Sequence, residues 1–318
     1  MAGPRRKSGQ GGCLMAGRWL PGCRTARAAA VGLAAMLIAS GDVDAGDGPE
    51  NGVVSVGGAV TEIVFALGAE DRLVAVDSTS QHPEAVRHLP NVGYLRQLAA
   101  EPILALNPSL VLALSDAGPP HALDLIRQAG VPVLTVPHEP TPAGVVRKVA
   151  IVAEALDRAH AGKSLAERIT ADLERLSAAV NRRSETPSVL FMFSAGGGAP
   201  LVAGNDTSAA AIIALAGGRN AVTGYDGFKP LNPEAAIAAA PDVILVTTGT
   251  LEALGGAEVV LSLPYLAPSP AAAAGHLIAM DALLLLGFGP RIGEAVHTLA
   301  SRLHPDLVLP PTAVRASR

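Results

Sequence analysis

Two cysteines in 318 residues, Cys13 and Cys23, are all the thiol this sequence has. Both fall in an N-terminal stretch that reads as a leader, so a processed chain would carry neither thiol nor disulfide and would be stabilised by burial alone. Aromatic residues are scarce at 3%, which makes each of Tyr94, Tyr225 and Tyr265 worth locating. Charged residues amount to 16% against 49% hydrophobic, a balance that excludes a disordered chain. The G-x-S-x-G elbow of α/β-hydrolases is missing, as are the glycine fingerprints of dinucleotide and P-loop sites. Glu101 and Glu234 have no partner carboxylate at glycosidase spacing. The eight histidines show no metal-cage spacing. An exported α/β hydrolase or oxidoreductase is left as a remote alternative.

The leader itself is informative. "MAGPRRKSGQGGCLMAGRWLPGCRTAR" is basic, "AAAVGLAAMLIAS" is an apolar run of about a dozen residues, too short to span a bilayer comfortably, and Val43 and Ala45 suit a cleavage site. Residues 1–45 therefore read as a signal peptide. The lipobox-like "LPGC" precedes the apolar run instead of following it. The leader holds six basic and two acidic side chains, so its removal takes the formal net charge from −4 to about −8. A surface of that sign, with no interleaving of basic and aromatic residues, excludes nucleic acid.

Beyond the leader, "NGVVSVGGAVTEIVFALGAEDRLVAVD" reads as strand, glycine turn, helix, strand. The rhythm recurs through "EPILALNPSLVLALS" and "HALDLIRQAGVPVLTVP", the alternation of parallel α/β layers. From Thr141 to about Arg183 the pattern is helical and charged on one side, with a break near Ala161-Gly162 and one long helix from Lys163 to Asn181. Alternation then resumes. The expected organisation is a signal peptide (1–45), an N-terminal α/β lobe (46–141), a helical connection (142–186) and a C-terminal α/β lobe (187–318). An internal repeat supports two lobes. Placing "LAAEPILALNPSLVL" (98–112) over "LNPEAAIAAAPDVIL" (231–245), an offset of 133, puts Glu101 on Glu234, Pro108 on Pro241 and Arg96 on Lys229, while Tyr94 meets Gly227. A glutamate in a first helical turn also suits the helix dipole.

The candidate site residues begin with Tyr94 and Arg96. Residues i and i+2 in an extended loop face one side. A phenolate is a hard oxygen ligand for ferric iron, and a cation beside it favours the deprotonated form. The plainer alternative is a packed loop tyrosine next to a solvated arginine. Lys229, with Tyr225 near it, either faces the same cleft from the second lobe, suited to a carboxylate, or is a solvated lysine in a turn. Glu101 and Glu234 suit docking onto a partner with paired basic pockets, or answer only the helix-start preference. The glycine turn at Gly57-Gly58 offers backbone N–H groups to an anion or serves close packing. His138 and His82 lie on strand-end loops, where ligands bind in α/β sheets, as second iron ligands or as ordinary loop histidines.

Taken together, "GGAVTEIVFALGAEDRLVAVDSTS", "LPNVGYLRQLAAEPILALNPSLVL", "GFKPLNPEAAIAAAPDVIL" and "LLGFGPRIGEAV" resemble the periplasmic haem-binding proteins of haem ABC importers, over about Val53 to Leu303. The resemblance implies a class III periplasmic binding protein fold, two Rossmann-like lobes with parallel sheets joined by a long helical bridge. It implies a periplasmic, non-enzymatic protein of iron acquisition with haem b as transported ligand in the interlobe cleft. Tyr94 is then the axial iron ligand with Arg96 supporting it; Lys229 matches a basic position in "KPL", from which we expect contact with the haem or its propionates, and Gly58 is expected among the same haem-supporting contacts. Glu101 and Glu234 become the docking glutamates for the membrane permease, which works with a cytoplasmic ATPase, and an outer-membrane haem receptor stands upstream. Some relatives carry a histidine in the turn after the strand at 189–193; here the turn reads "SAGGGAP", with Ala195. The same scaffold serves cobalamin and ferric siderophores. Tyr94 separates these readings, because a siderophore already fills the coordination shell of its iron.

Overall fold

The first apolar run forms β1 (Val53–Val56), buried along its length, as a central parallel strand must be. A computed structural model describes this chain over residues 52–193, 200–230 and 232–313. The expected signal peptide and Ala195 lie outside the described residues. β1 ends at Gly57, whose φ of 112° suits glycine and strains other residues. α1 (Gly58–Ala66) starts at once, followed by β2 (Leu73–Val76), α2 (Ala100–Leu104), β3 (Leu110–Leu114), α3 (Pro120–Gln128) and β4 (Val133–Val136). These strands form a parallel sheet in the order β2-β1-β3-β4. Strand order reverses at β1 and β3, so the crevice beyond their carboxyl ends is where such a sheet binds ligands.

Two helices come next, α4 (Pro142–Ala155) and α5 (Ala159–Val180). Thr141 Oγ1 caps α4 by accepting from Gly144 N at 3.0 Å, satisfying one of the donors that a helix start leaves open. The break expected near Ala161-Gly162 falls earlier, at Asp157 with φ 57°. Gly162 lies inside α5, where a Cβ would come within 2.3 Å of Ala153 Cβ. That glycine lets α4 and α5 touch and does not interrupt the helix.

The second lobe runs β5 (Ser188–Phe193), β6 (Leu201–Ala203), α6 (Ser208–Leu215), β7 (Arg219–Asn220), β8 (Phe228–Pro230), α7 (Pro233–Ala239) and β9 (Val243–Thr247). Then follow α8 (Thr248–Ala253), α9 (Ala257–Leu261), α10 (Pro270–Ala274), β10 (Leu277–Met280), α11 (Ala282–Leu286) and α12 (Ile292–Leu303). Its sheet order is β10-β9-β5-β6-β8, with β7 also on β5. Parallel pairing, expected for both sheets, holds at β10, β9, β5 and β7. β6 is antiparallel to both β5 and β8. Residues 194–200 are too few for the crossover of a dozen or more that a parallel return needs.

The repeat is visible in the backbone. An offset of 133 carries β3 onto β9, and it carries Asn107, with φ 46°, onto Ala240, with φ 40°. Each short helix is followed by a left-handed residue before its strand. One apolar core runs from β1 and β3 through α4 and α5 to α12, and a smaller one around Leu190, Met192, Ile244 and Val246 fills the other face of the second sheet.

Buried charge joins the lobes. Glu62 of α1 accepts from Arg291 Nε at 3.1 Å and from its Nη2 as well. Lys148 of α4, fully buried, donates to Phe288 O at 3.1 Å. Burial pushes the Glu62 carboxyl up to about 7 in spite of Arg291, and burial pulls the Lys148 ammonium down to about 8. Among the described residues no helix is long and apolar enough to cross a membrane.

Candidate functional site

A cleft of about 630 Å³ opens at the carboxyl ends of β1 and β3, with walls from both lobes. Its first wall is set by Asp77, which is buried and collects donors from the loops around it: Gly57 N at 2.8 Å, Thr79 N at 3.0 Å, Thr79 Oγ1 at 2.7 Å and Ser80 Oγ at 2.8 Å. Gly58 lines the cleft, but its N–H already donates to Thr79 Oγ1 at 3.0 Å. A Cβ there would meet Thr79 O at 2.5 Å and Leu283 Cδ1 at 2.6 Å. Close packing between the lobes is therefore what Gly58 does in this structure.

Tyr94 sits on a loop pinned by three buried side chains, Val92, Leu95 and Leu98. Backbone bonds tie it down on both sides: Val92 N to Val76 O at 2.9 Å, Leu98 N to Gly118 O at 2.8 Å, and Gly118 N to Leu95 O at 2.8 Å. Gln97 N donates to Tyr94 O at 2.8 Å, so the segment is a turn where an extended loop was expected. The turn still sends Tyr94 and Arg96 to one side, and both line the cleft. Arg96 Nη1 donates to Tyr94 Oη at 2.9 Å, and its Nη2 pairs with Asp116 Oδ2. At 40% relative exposure Tyr94 is held yet open to the cleft.

His138 also lines the cleft, and its Nε2 lies 3.1 Å from Ser208 Oγ at the start of α6, a hydrogen bond between the lobes. Burial first, then the Lys148 charge, lowers its pKa below the usual imidazole value, which favours the neutral ring that can serve as a metal ligand. His82 is not in the cleft lining, although Gln81 is. Burial first, then the Arg291 charge, lowers its pKa below the usual imidazole value.

The opposite wall is apolar: Phe193, Leu201 and Phe228 from the second sheet, with Leu283 and Leu286 from α11. Strand geometry explains Lys229. β8 pairs with β6 through Leu201–Pro230, Val202–Lys229 and Ala203–Phe228, and successive residues of a strand face opposite ways. Phe228 therefore faces the cleft, stacked edge-on against Phe191 at 6.2 Å, and Lys229 faces away, its Nζ 4.6 Å above the Tyr225 ring. Tyr225, expected near the cleft, donates its hydroxyl to Val202 O at 3.0 Å. Glu101 and Glu234 stand exposed in the first turns of α2 and α7, away from the cleft.

Sequence reasoning missed Asp116, Ser208 and the apolar wall. Asp116 had a signal: it follows the apolar run "LVLAL" and Ser115 at a strand's carboxyl end. Phe228 had one in the period-two alternation of "FKP". Ser208 had none, because its role is a contact across the cleft.

The family described as "Periplasmic binding protein" matches residues 53–284. The periplasmic heme-binding protein RhuT from Roseiflexus sp. RS-1, solved in apo form, is 42% identical with a TM-score of 0.78 over 80% of this chain and 98% of that one. The periplasmic heme-binding protein BhuT, solved with two hemes, is 44% identical with a TM-score of 0.76 over 79% and 97%. The vitamin B12-binding protein of Vibrio campbellii is 28% identical over 140 residues, 44% of this chain and 50% of its own length.

Proposed function

Because the chain belongs to the periplasmic binding protein family, we propose that it captures haem in this cleft and hands it to the membrane permease of an ABC importer. One observation carries the reading: a single phenol, Tyr94, held by a guanidinium on the wall of a largely apolar cleft. Haem is a flat apolar ring with a charged metal at its centre and two carboxylates on one edge. Its faces are buried against Phe193, Phe228 and Leu286, and ferric iron takes one hard oxygen, the Tyr94 phenolate. Arg96 stabilises the negative charge that ligation requires. A lone protein ligand leaves the cargo removable, as delivery demands. His138 becomes a second ligand only by releasing Ser208, and Lys229 meets a propionate only by leaving the Tyr225 ring.

The protein is a binding protein and not an enzyme, and it works outside the cytoplasm. Residues 1–45 route it to the periplasm, leaving lobes 46–141 and 187–318 joined by 142–186. Glu101 and Glu234, in equivalent first turns, dock onto the permease, behind which stands the ATPase. An outer-membrane receptor supplies the haem. The partial likeness to a B12-binding protein keeps cobalamin as the second reading.

Hemin titration of residues 46–318, followed by absorption spectroscopy with Tyr94→Phe in parallel, tests this. Saturable binding with a high-spin ferric tyrosinate spectrum, lost in the variant, is expected. Binding of cyanocobalamin without hemin, or identical hemin spectra from both proteins, overturns the haem reading.

A further inference from the structure

The Arg96 side chain is about half exposed, and a long cation in that setting loses much rotamer freedom if it is to hold one position. Something must hold it against the phenol. Its guanidinium is divided: Nη1 donates to Tyr94 Oη at 2.9 Å and Nη2 pairs with Asp116. Asp116 follows β3, and the adjacent Ala117 N closes its turn onto Leu114 O at 2.8 Å. Gly118 is bonded in both directions to the Tyr94 loop, through Leu95 O and Leu98 N. The carboxylate and the phenol thus stand on one hydrogen-bonded backbone unit, with the guanidinium spanning them. Asp116 is also less exposed than its partner, at 31% against 56% for the side chains, and its Oδ1 is shut off from solvent with no hydrogen-bond partner among the described residues. Among the described residues its ion pair is with Arg96, while the Lys148 ammonium and the His138 ring feel its charge from farther off.

We infer that Asp116 is the positioning residue of the haem site: by fixing Nη2 of Arg96 it aims Nη1 at the oxygen that binds iron. The inference rests on the reading of Tyr94 as the iron ligand. Asp116 lines the same cleft and acts on the phenol through the guanidinium, an arrangement in which the planar fork of arginine is used at both ends. Without it, Arg96 samples solvent, the phenolate loses its partner for part of the time, and the iron–oxygen bond exists in several environments.

The test compares wild type, Asp116→Ala, Asp116→Asn, Arg96→Ala and the double variant Asp116→Ala/Arg96→Ala, all loaded with hemin. The readouts are the tyrosinate charge-transfer band, the iron–phenolate stretching frequency and the rate of haem transfer to apomyoglobin. Asp116→Ala is expected to shift and broaden the stretch and to speed transfer about tenfold, the scale of one hydrogen bond to a charged group. Asp116→Asn, which keeps an acceptor oxygen, restores most of the wild-type signature. In the Arg96→Ala background the loss of Asp116 adds nothing, an outcome that a general structural role would not give. Wild-type tyrosinate bands with unaltered bands in Asp116→Ala overturn this inference alone, as does full additivity in the double variant. Wild type without tyrosinate bands overturns both this inference and the assignment of Tyr94.

Discussion

The two walls of the cleft come from halves related by an offset of 133 residues, and they have divided the work between them. On the first wall the turn before α2 presents Tyr94 and Arg96 to the cleft. On the second, the strand before α7 presents Phe228 and turns its cation away. Under that offset Arg96 meets Lys229 while Tyr94 meets Gly227, so the second half has no phenol at the matching place, and β8 sends Phe228 and Lys229 to opposite faces. The same backbone plan therefore yields one wall with a paired phenol and guanidinium and one wall of apolar side chains, through residue type and local conformation together.

Such a division works only if the walls keep a fixed separation, so the largest effect should come from breaking the seam that sets it. Arg291→Ala leaves the Glu62 carboxylate buried with its main counter-charge gone, a situation that costs about 3–5 kcal/mol. Denaturant unfolding of the haem-free protein measures it. The pH dependence has a definite sign. The folded value for Glu62 is about 7 against an ordinary 4.5, so the native state binds the extra proton. This group's contribution is fully present below 4.5 and is lost as pH rises through 7. In Arg291→Ala the carboxyl titrates higher still, so the deficit deepens above neutrality and narrows in acid. A deficit that did not change between pH 5 and 8 would mean that Glu62 is not the group left stranded.

Next in size is the packing wall. Phe228 is 43% exposed without ligand, and covering that fraction of a phenylalanine is worth about 2 kcal/mol, roughly 30-fold in affinity. Phe228→Ala should weaken hemin by that order and leave the tyrosinate spectrum unchanged. A changed spectrum would show that the walls are not independent.

How far this arrangement was legible in the sequence depends on what each feature needs. The alternation of strands and helices, the repeat and the glutamates at two helix starts are local patterns, and the backbone reproduces them down to the left-handed pair Asn107 and Ala240. Tyr94 and Arg96 stood out because phenols are rare here and the two are close in sequence. The antiparallel pairing of β6 depended on counting the residues available for a crossover. The seam was not legible: Glu62 and Arg291 are 229 residues apart, and no local pattern marks a charge that is going to be buried. The Ser208 contact with His138 spans 70 residues and was hidden for the same reason.

The smallest expected effect sharpens the comparison most, because it sets one cation against another at matching places in the repeat. Arg96 is fixed at both ends, by Tyr94 and by Asp116. Among the described residues Lys229 has the face of an aromatic ring, on the side of β8 away from the cleft. To meet a propionate its ammonium must give up the cation–π contact and order a flexible chain at an exposed edge, where an ion pair is worth about 0–1 kcal/mol. Lys229→Ala should therefore weaken hemin by less than about fivefold, with no spectral change, in a titration run beside Phe228→Ala. A loss equal to that of the Phe228 variant would mean that β8 rotates its faces when the ligand enters. The second wall would then supply chemistry as well as packing.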